Sequence, residues 1–176
     1  WSSDVCSSDL EEVAGLFDVV VATQGVPDIV VYNASARARG ATVDVTPADV
    51  ANAIAVSGYG GFLVAQQAAR AMLPRGSGSI LLTGASASVK GYPQSTAFAM
   101  GKFALRGMAQ SMAREFAPQG LHVAHFVIDG GIRSATRPVP NENPDSLLDP
   151  DAIAETYWHV ATQPKSAWTW EVELRP

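Results

Sequence analysis

Lys102 follows Phe98 by four residues, in the run Phe98-Ala-Met-Gly-Lys102. On a helix this spacing puts the two side chains on one face, one turn apart. A cation held there favours the ionised form of an acid beside it, yet Phe98 has no proton to give. Hydroxyl groups stand nearby in the chain: Thr83, Ser86 and Tyr92 all precede the pair. Tyr92, in the loop before the helix, reads either as a displaced proton donor or as a partly exposed loop aromatic. His122, His125 and His159 are scattered without the spacing of zinc ligands. No metal is expected, and the histidines read as structural, with their hydrogen bonds satisfied. Gly58-Tyr-Gly60-Gly61 is rich in glycine but falls inside a helical stretch, which excludes it as a phosphate loop.

The elements that must position Lys102 follow from periodicity. Residues 11–23 repeat apolar positions at Val13, Leu16, Phe17 and Val20, a helical pattern. Residues 28–33 form a short apolar run of the kind found in strands buried on both faces. A polar loop follows to Thr46. Thr46-Pro47-Ala-Asp49 then starts a helix, with threonine as N-cap, proline in the first turn and an acid at the positive end of the macrodipole. That helix is expected to run unbroken to about Leu73. Residues 79–83 are a second strand, and 84–95 a loop of small residues. Residues 96–116 form a long helix with Leu105, Met108, Ala109, Met112 and Phe116 on one stripe. Residues 121–128 are a third strand and 129–148 an aperiodic loop rich in proline, asparagine and aspartate. Asp149-Pro150-Asp151 caps a last helix to about Thr162, and residues 168–174 alternate as a final strand. Alternating helices and strands predict one α/β domain, a doubly wound parallel sheet of Rossmann-like type with right-handed crossovers.

The chain has 176 residues, a net charge of −5 and 47% hydrophobic residues. No basic stripe points to nucleic acid, and no long unbroken apolar run points to a membrane. The lone Cys6 cannot pair within the chain. A cytoplasmic setting is expected. Trp1 to Leu10 (WSSDVCSSDL) has almost no periodicity and does not lead into the helix that follows. It reads as a translated sequencing adaptor or a disordered polar tail, and in either case as functionless. Residues 11–176 are then a partial domain whose sequence begins inside the fold.

Five segments resemble the classical short-chain dehydrogenase/reductase family, in order and in spacing. Ile29-Val-Val-Tyr-Asn33-Ala34-Ser35 is similar to the strand ending in Asn-Asn-Ala-Gly. Val56-Ser57-Gly58-Tyr59-Gly60-Gly61-Phe62 is similar to the helix that carries an active-site asparagine. Gly78-Ser-Ile-Leu-Leu-Thr-Gly-Ala85-Ser86 resembles the strand that leads to the catalytic serine. Phe98-Ala-Met-Gly-Lys102 resembles the Tyr-x-x-x-Lys helix. Ile128-Asp129-Gly130-Gly131-Ile132-Arg133-Ser134 resembles the Pro-Gly turn that leads to a threonine at the cofactor. Asp129 replaces the proline.

The resemblance implies an oxidoreductase that moves hydride between NAD or NADP and a carbonyl or secondary alcohol. It gives Lys102 the role of lowering a tyrosine's pKa and holding the nicotinamide ribose. It also exposes an atypical site: Phe98 stands at the tyrosine position, Ala85 at the serine position thirteen residues earlier and Ser57 at the asparagine position. Cofactor contacts are expected from Asn33, Ala34, Ser35, Lys102, Gly130, Ile132 and Ser134. The Gly-x-x-x-Gly-x-Gly turn that cradles the pyrophosphate occurs nowhere in the sequence. By the family pattern the chain is a C-terminal portion, with three strands and two helices upstream, so strand 28–33 should be an open apolar edge and the chain as given should bind dinucleotide weakly or not at all. The alternative to an enzyme is a catalytically silent dinucleotide-binding or structural homologue. The substrate is expected to be a small molecule under the 129–148 loop, and a homo-oligomer is expected through the two long helices.

Overall fold

The computed structural model describes residues 9–140, 142–143 and 145–176. Residues 1–8, with Cys6 and most of the segment set apart above, lie outside the described residues, as do Asn141 and Pro144 of the 129–148 loop. The described elements are α1 (Leu10–Gln24), β1 (Ile29–Tyr32), α2 (Pro47–Ile54), α3 (Gly60–Met72), β2 (Gly78–Thr83), α4 (Thr96–Phe116), β3 (Leu121–Ile128), α5 (Pro150–Ala161) and β4 (Glu171–Leu174). The strands form one parallel sheet in the order β1-β2-β3-β4. β4 is shorter than expected, because residues 165–167 make a single 3₁₀ turn and Trp168 is extended outside the ladder.

Local chemistry sets the helix ends. The Thr46 hydroxyl accepts from Asp49 N at 3.1 Å and donates to the Asp49 carboxylate at 2.8 Å. The Asp149 carboxylate accepts from Asp151 N at 2.9 Å. Asp9 caps α1 by accepting from Glu11 N and Glu12 N. Asp9 and Leu10 therefore do lead into the helix, against the sequence expectation for that segment.

Two further features depart from the sequence reading. Residues 46–73 do not form one regular helix: α2 and α3 are joined by a wide π turn, Ala55–Tyr59. There the chain packs closely against α4. A Cβ on Gly101 would meet the Ala53 carbonyl and Ser57 Cβ, each at 2.8 Å, and one on Gly58 would meet Ala104 Cβ at 3.2 Å. The Tyr32 hydroxyl at the end of β1 donates to the Val56 carbonyl within this turn. Such turns often mark functional positions in helices.

The crossovers also differ in hand. Ile80, Leu82, Leu121 and Val123 face α3 and α4 in one core cluster, with Met72, Leu105 and Ala109 buried against them. Leu81, Ala124 and Phe126 face the other way, against Val160, Tyr157 and Ala161 of α5. All three connections step in the same direction across the sheet. The β3–α5–β4 connection lies on the opposite face, so its hand is opposite to that of the other two. The expectation of uniformly right-handed crossovers therefore fails at the third.

β1 is the sheet edge, and Val31 on it is half exposed, as expected of an open apolar strand. The continuous stretch Pro47–Arg75 is long and apolar enough to cross a membrane by length and composition alone. Leu63, Ala65, Ala68 and Met72 within it are buried against the sheet and α4, the position of a core helix.

Candidate active site

The carboxyl ends of β1, β2 and β3 converge on one cavity of about 230 Å³. Open parallel sheets place ligands at this edge. Asn33, Ser35 and Arg37 reach it from the loop after β1, Thr83 to Ala85 from the end of β2, Phe98 and Lys102 from α4, and Ile128, Gly130, Ile132 and Arg137 from the end of β3 and beyond.

Lys102 sits on its floor. Its side chain is buried, 2% exposed, and Nζ donates to the Thr83 carbonyl at 2.7 Å. Burial, and secondarily the like charge of Arg37, lower its pKa from 10.5 to about 8. Phe98 packs against Ala85 and Ala87, and the Arg37 guanidinium lies over its ring at 4.2 Å from the centroid. The substituted tyrosine and serine positions thus form an apolar contact under an arginine.

Ser57 is fully buried and is not among the residues that line the cavity. Its Oγ accepts from Ala36 N at 3.2 Å and donates to the Ala36 carbonyl at 3.4 Å. Ser57 therefore fixes the backbone next to Arg37. Of the positions expected to meet cofactor, Asn33, Ser35, Lys102, Gly130 and Ile132 line the cavity together. Ala34 packs toward the core instead. Ser134 is held in its own exposed turn, bonded to Thr136 and Arg137. Asp129, at the turn, pairs with Lys90 at 3.2 Å, and that bond holds its carboxyl below the usual range.

Of the alternative proton donors, Thr83 lines this cavity, whereas Ser86 and Tyr92 do not. The Thr83 hydroxyl bonds the Tyr157 hydroxyl at 2.8 Å. Tyr92 and Ser86 line a neighbouring cavity of about 300 Å³, together with Arg37, Arg39 and Phe98. The stacked Arg37 and Phe98 are common to both cavities.

Sequence reasoning missed four residues. Tyr157 stacks on Phe126 at 3.6 Å, and burial pushes its hydroxyl up to about 12. His125, on β3, is fully buried and contacts Glu171 through Nδ1 at 3.0 Å, while Nε2 has no partner. Burial outweighs the carboxylate and lowers its pKa to about 4. The contact is therefore a neutral imidazole donating from Nδ1, which leaves a bare lone pair on Nε2. His125 and His122 each keep one ring nitrogen without a partner, so neither is fully satisfied as expected. Arg37 and Arg137 were passed over as loop residues, although loops at the carboxyl ends of parallel strands are where binding groups collect.

A doubly wound α/β sheet with a polar cleft at its carboxyl edge defines the class as Rossmann-like. A family model described as enoyl-(acyl carrier protein) reductase matches residues 2–150. The chain is 32% identical over 118 residues to a (21S)-21-acetoxyl-apo-melianone synthase of Melia azedarach, covering 66% of this chain and 44% of that protein. It thus spans less than half the length of that curated relative. A crystal structure of a short-chain dehydrogenase from Rhodopseudomonas palustris superposes with a TM-score of 0.83 at 34% identity, covering 97% of this chain and 71% of that one. An alcohol dehydrogenase from the archaeon Thermococcus sibiricus, complexed with 5-hydroxy-NADP, shares the fold with a TM-score of 0.83 at 21% identity, covering 97% of this chain and 72% of that one. The chain belongs to the short-chain dehydrogenase/reductase family.

Proposed function

We propose that this protein is an NAD- or NADP-dependent oxidoreductase acting on a carbonyl or secondary alcohol, with Lys102 supplying the proton that the family takes from tyrosine. The observation that carries the reading is the state of Lys102. It is buried on the cavity floor with its pKa brought to about 8, near the range in which a group both gives and takes protons at neutral pH. Thr83 is engaged with Tyr157, burial raises Tyr157 to about 12, and Phe98 has no hydroxyl.

The residues present fit the nicotinamide end of the cofactor. Asn33, Ser35 and Lys102 offer polar groups to a ribose, and Ile128 and Ile132 offer apolar wall to a flat ring. The cofactor, when bound, supplies or takes up the hydride. Lys102 Nζ gives its proton to the carbonyl oxygen during reduction and takes one from the alcohol during oxidation. Ser57, through Ala36, holds the loop that carries Arg37 and Ser35. The NADP-type ligand of the Thermococcus sibiricus relative supports a nicotinamide cofactor and leaves NAD and NADP open.

One observation favours a second reading, a silent dinucleotide-binding homologue: Ala85 and Phe98 close on each other as apolar surface. Mixing the protein with NADH or NADPH and a panel of carbonyl compounds separates the two. Oxidation of the reduced cofactor supports the enzyme. Tight cofactor binding without oxidation supports the silent homologue. We also infer a homo-oligomer, because Tyr59, Phe62, Met100 and Phe103 are exposed on the outer side of the π turn, α3 and α4. Sedimentation should show a dimer or larger that Phe103→Arg dissociates.

A further inference from the structure

Among the described residues four arginines are ion-paired: Arg75 with Asp28, Arg106 with Glu171, Arg133 with Asp149 and Arg175 with Glu173. Arg37 and Arg137, which line the cavity above Lys102, have no carboxylate within salt-bridge distance among the described residues, and no acid lines that cavity. Arg39 adds a further cation to the adjoining cavity, which also lacks an acid. This positive cleft belongs to a chain whose acids outnumber its lysines and arginines, 17 to 12. Three features hold it in place. Phe98 lies flat under the Arg37 guanidinium, Ser57 fixes the preceding residue, and Gly131 leaves room for Arg137, since a Cβ there would lie 3.1 Å from its Nη1. The phenylalanine that removes the family's proton donor thereby serves as the platform for an arginine.

From this geometry we infer that the cavity binds an anionic group through Arg37 and Arg137, so that the molecule reduced or oxidised beside Lys102 is an oxo acid or its hydroxy acid. This rests on the oxidoreductase reading for the reaction, though not for the anion site. Guanidinium forks suit carboxylates and phosphates alike. A phosphate of the cofactor is thus the other source of the same chemistry, and the test separates them.

The test is calorimetric titration of the protein with malonate, and with malonamide as its uncharged counterpart. Malonate should bind and malonamide should not, and Arg37→Gln and Arg137→Gln should each weaken malonate about tenfold or more, as expected for a hydrogen bond to a charged group. Equal binding of the two compounds, or variants that bind malonate as the parent does, would overturn the inference. The malonamide comparison needs no variant and stands even if Arg37→Gln fails to fold. In steady-state assays Arg37→Gln should raise KM for short oxo acids about tenfold more than it raises KM for neutral carbonyls or for the cofactor. A rise confined to the cofactor would assign the arginines to its phosphate and refute the substrate class. Arginine-dependent malonate binding with no turnover of any carbonyl would refute the oxidoreductase reading and leave the anion site standing. Turnover with no preference for oxo acids would do the reverse.

Discussion

Arg106 and Arg37 are the same side chain in two settings, one on the floor behind the site and one at its mouth. Arg106 is held by both Glu171 oxygens, at 2.7 and 2.8 Å, and the same carboxylate accepts a hydrogen bond from Nδ1 of buried His125. Arg37 has an aromatic ring beneath it and open cleft above. The floor satisfies its charges within the protein and so holds β3, β4 and α4 together. The mouth leaves its charges for a ligand. Variants of the floor should therefore act on stability, and variants of the mouth on binding.

The largest expected effect falls where the two regions meet. Lys102→Met removes the proposed proton donor and should lower turnover by about 10²–10⁴-fold, the usual worth of positioned acid–base catalysis, read by cofactor absorbance. Stability should not fall, because the variant also removes a desolvated cation. A large loss of stability without loss of turnover would place Lys102 wholly in the floor.

On the floor, His125 makes folding sensitive to acid. Its folded pKa of about 4 lies below the ordinary 6.5, so between these values the unfolded chain takes up a proton that the folded protein refuses. Stability should be retained above pH 6.5 and fall by about 3 kcal/mol as pH drops from 6.5 to 4. Urea unfolding across that window reads the slope, and His125→Gln should flatten it. Glu171→Gln should cost about 2 kcal/mol at neutral pH by the same measurement. This is below the figure for a fully buried pair, because the Glu171 and Arg106 side chains keep 18% and 28% of their surface exposed. At the mouth, Arg37→Gln should change stability by less than about 1 kcal/mol, since it loses only an exposed cation–aromatic contact. A loss as large as that of Glu171→Gln would erase the distinction between the two regions.

The regular part of this architecture was legible in the sequence. α4 and β3 run over the residues that periodicity marked, and the Thr46 and Asp149 caps are where their side chains announced them. Lys102, Asn33 and Gly130, which the resemblance names, line one cavity. What escaped depends on packing between distant segments. The π turn at Ala55–Tyr59 answers to the close approach of Gly101 on another helix, and no helical repeat encodes that. The opposite hand of the last crossover depends on which face α5 covers, and its amphipathic stripe fits either. Arg37 and Arg106 are indistinguishable by sequence: only the fold shows that Glu171 reaches one and that, among the described residues, no acid pairs with the other. His125 sits in an uninterrupted apolar strand, where only the sheet register brings it to Glu171.

The most direct test of Lys102 as the proton donor is the pH profile of carbonyl reduction at saturating cofactor. Reduction needs the ammonium form, so the rate should be level at neutral pH and fall as pH rises through about 8, the value to which burial brings Lys102, and the limb should vanish in Lys102→Met. A rate that stays level to pH 10, or a limb that persists unchanged in Lys102→Met, would contradict it.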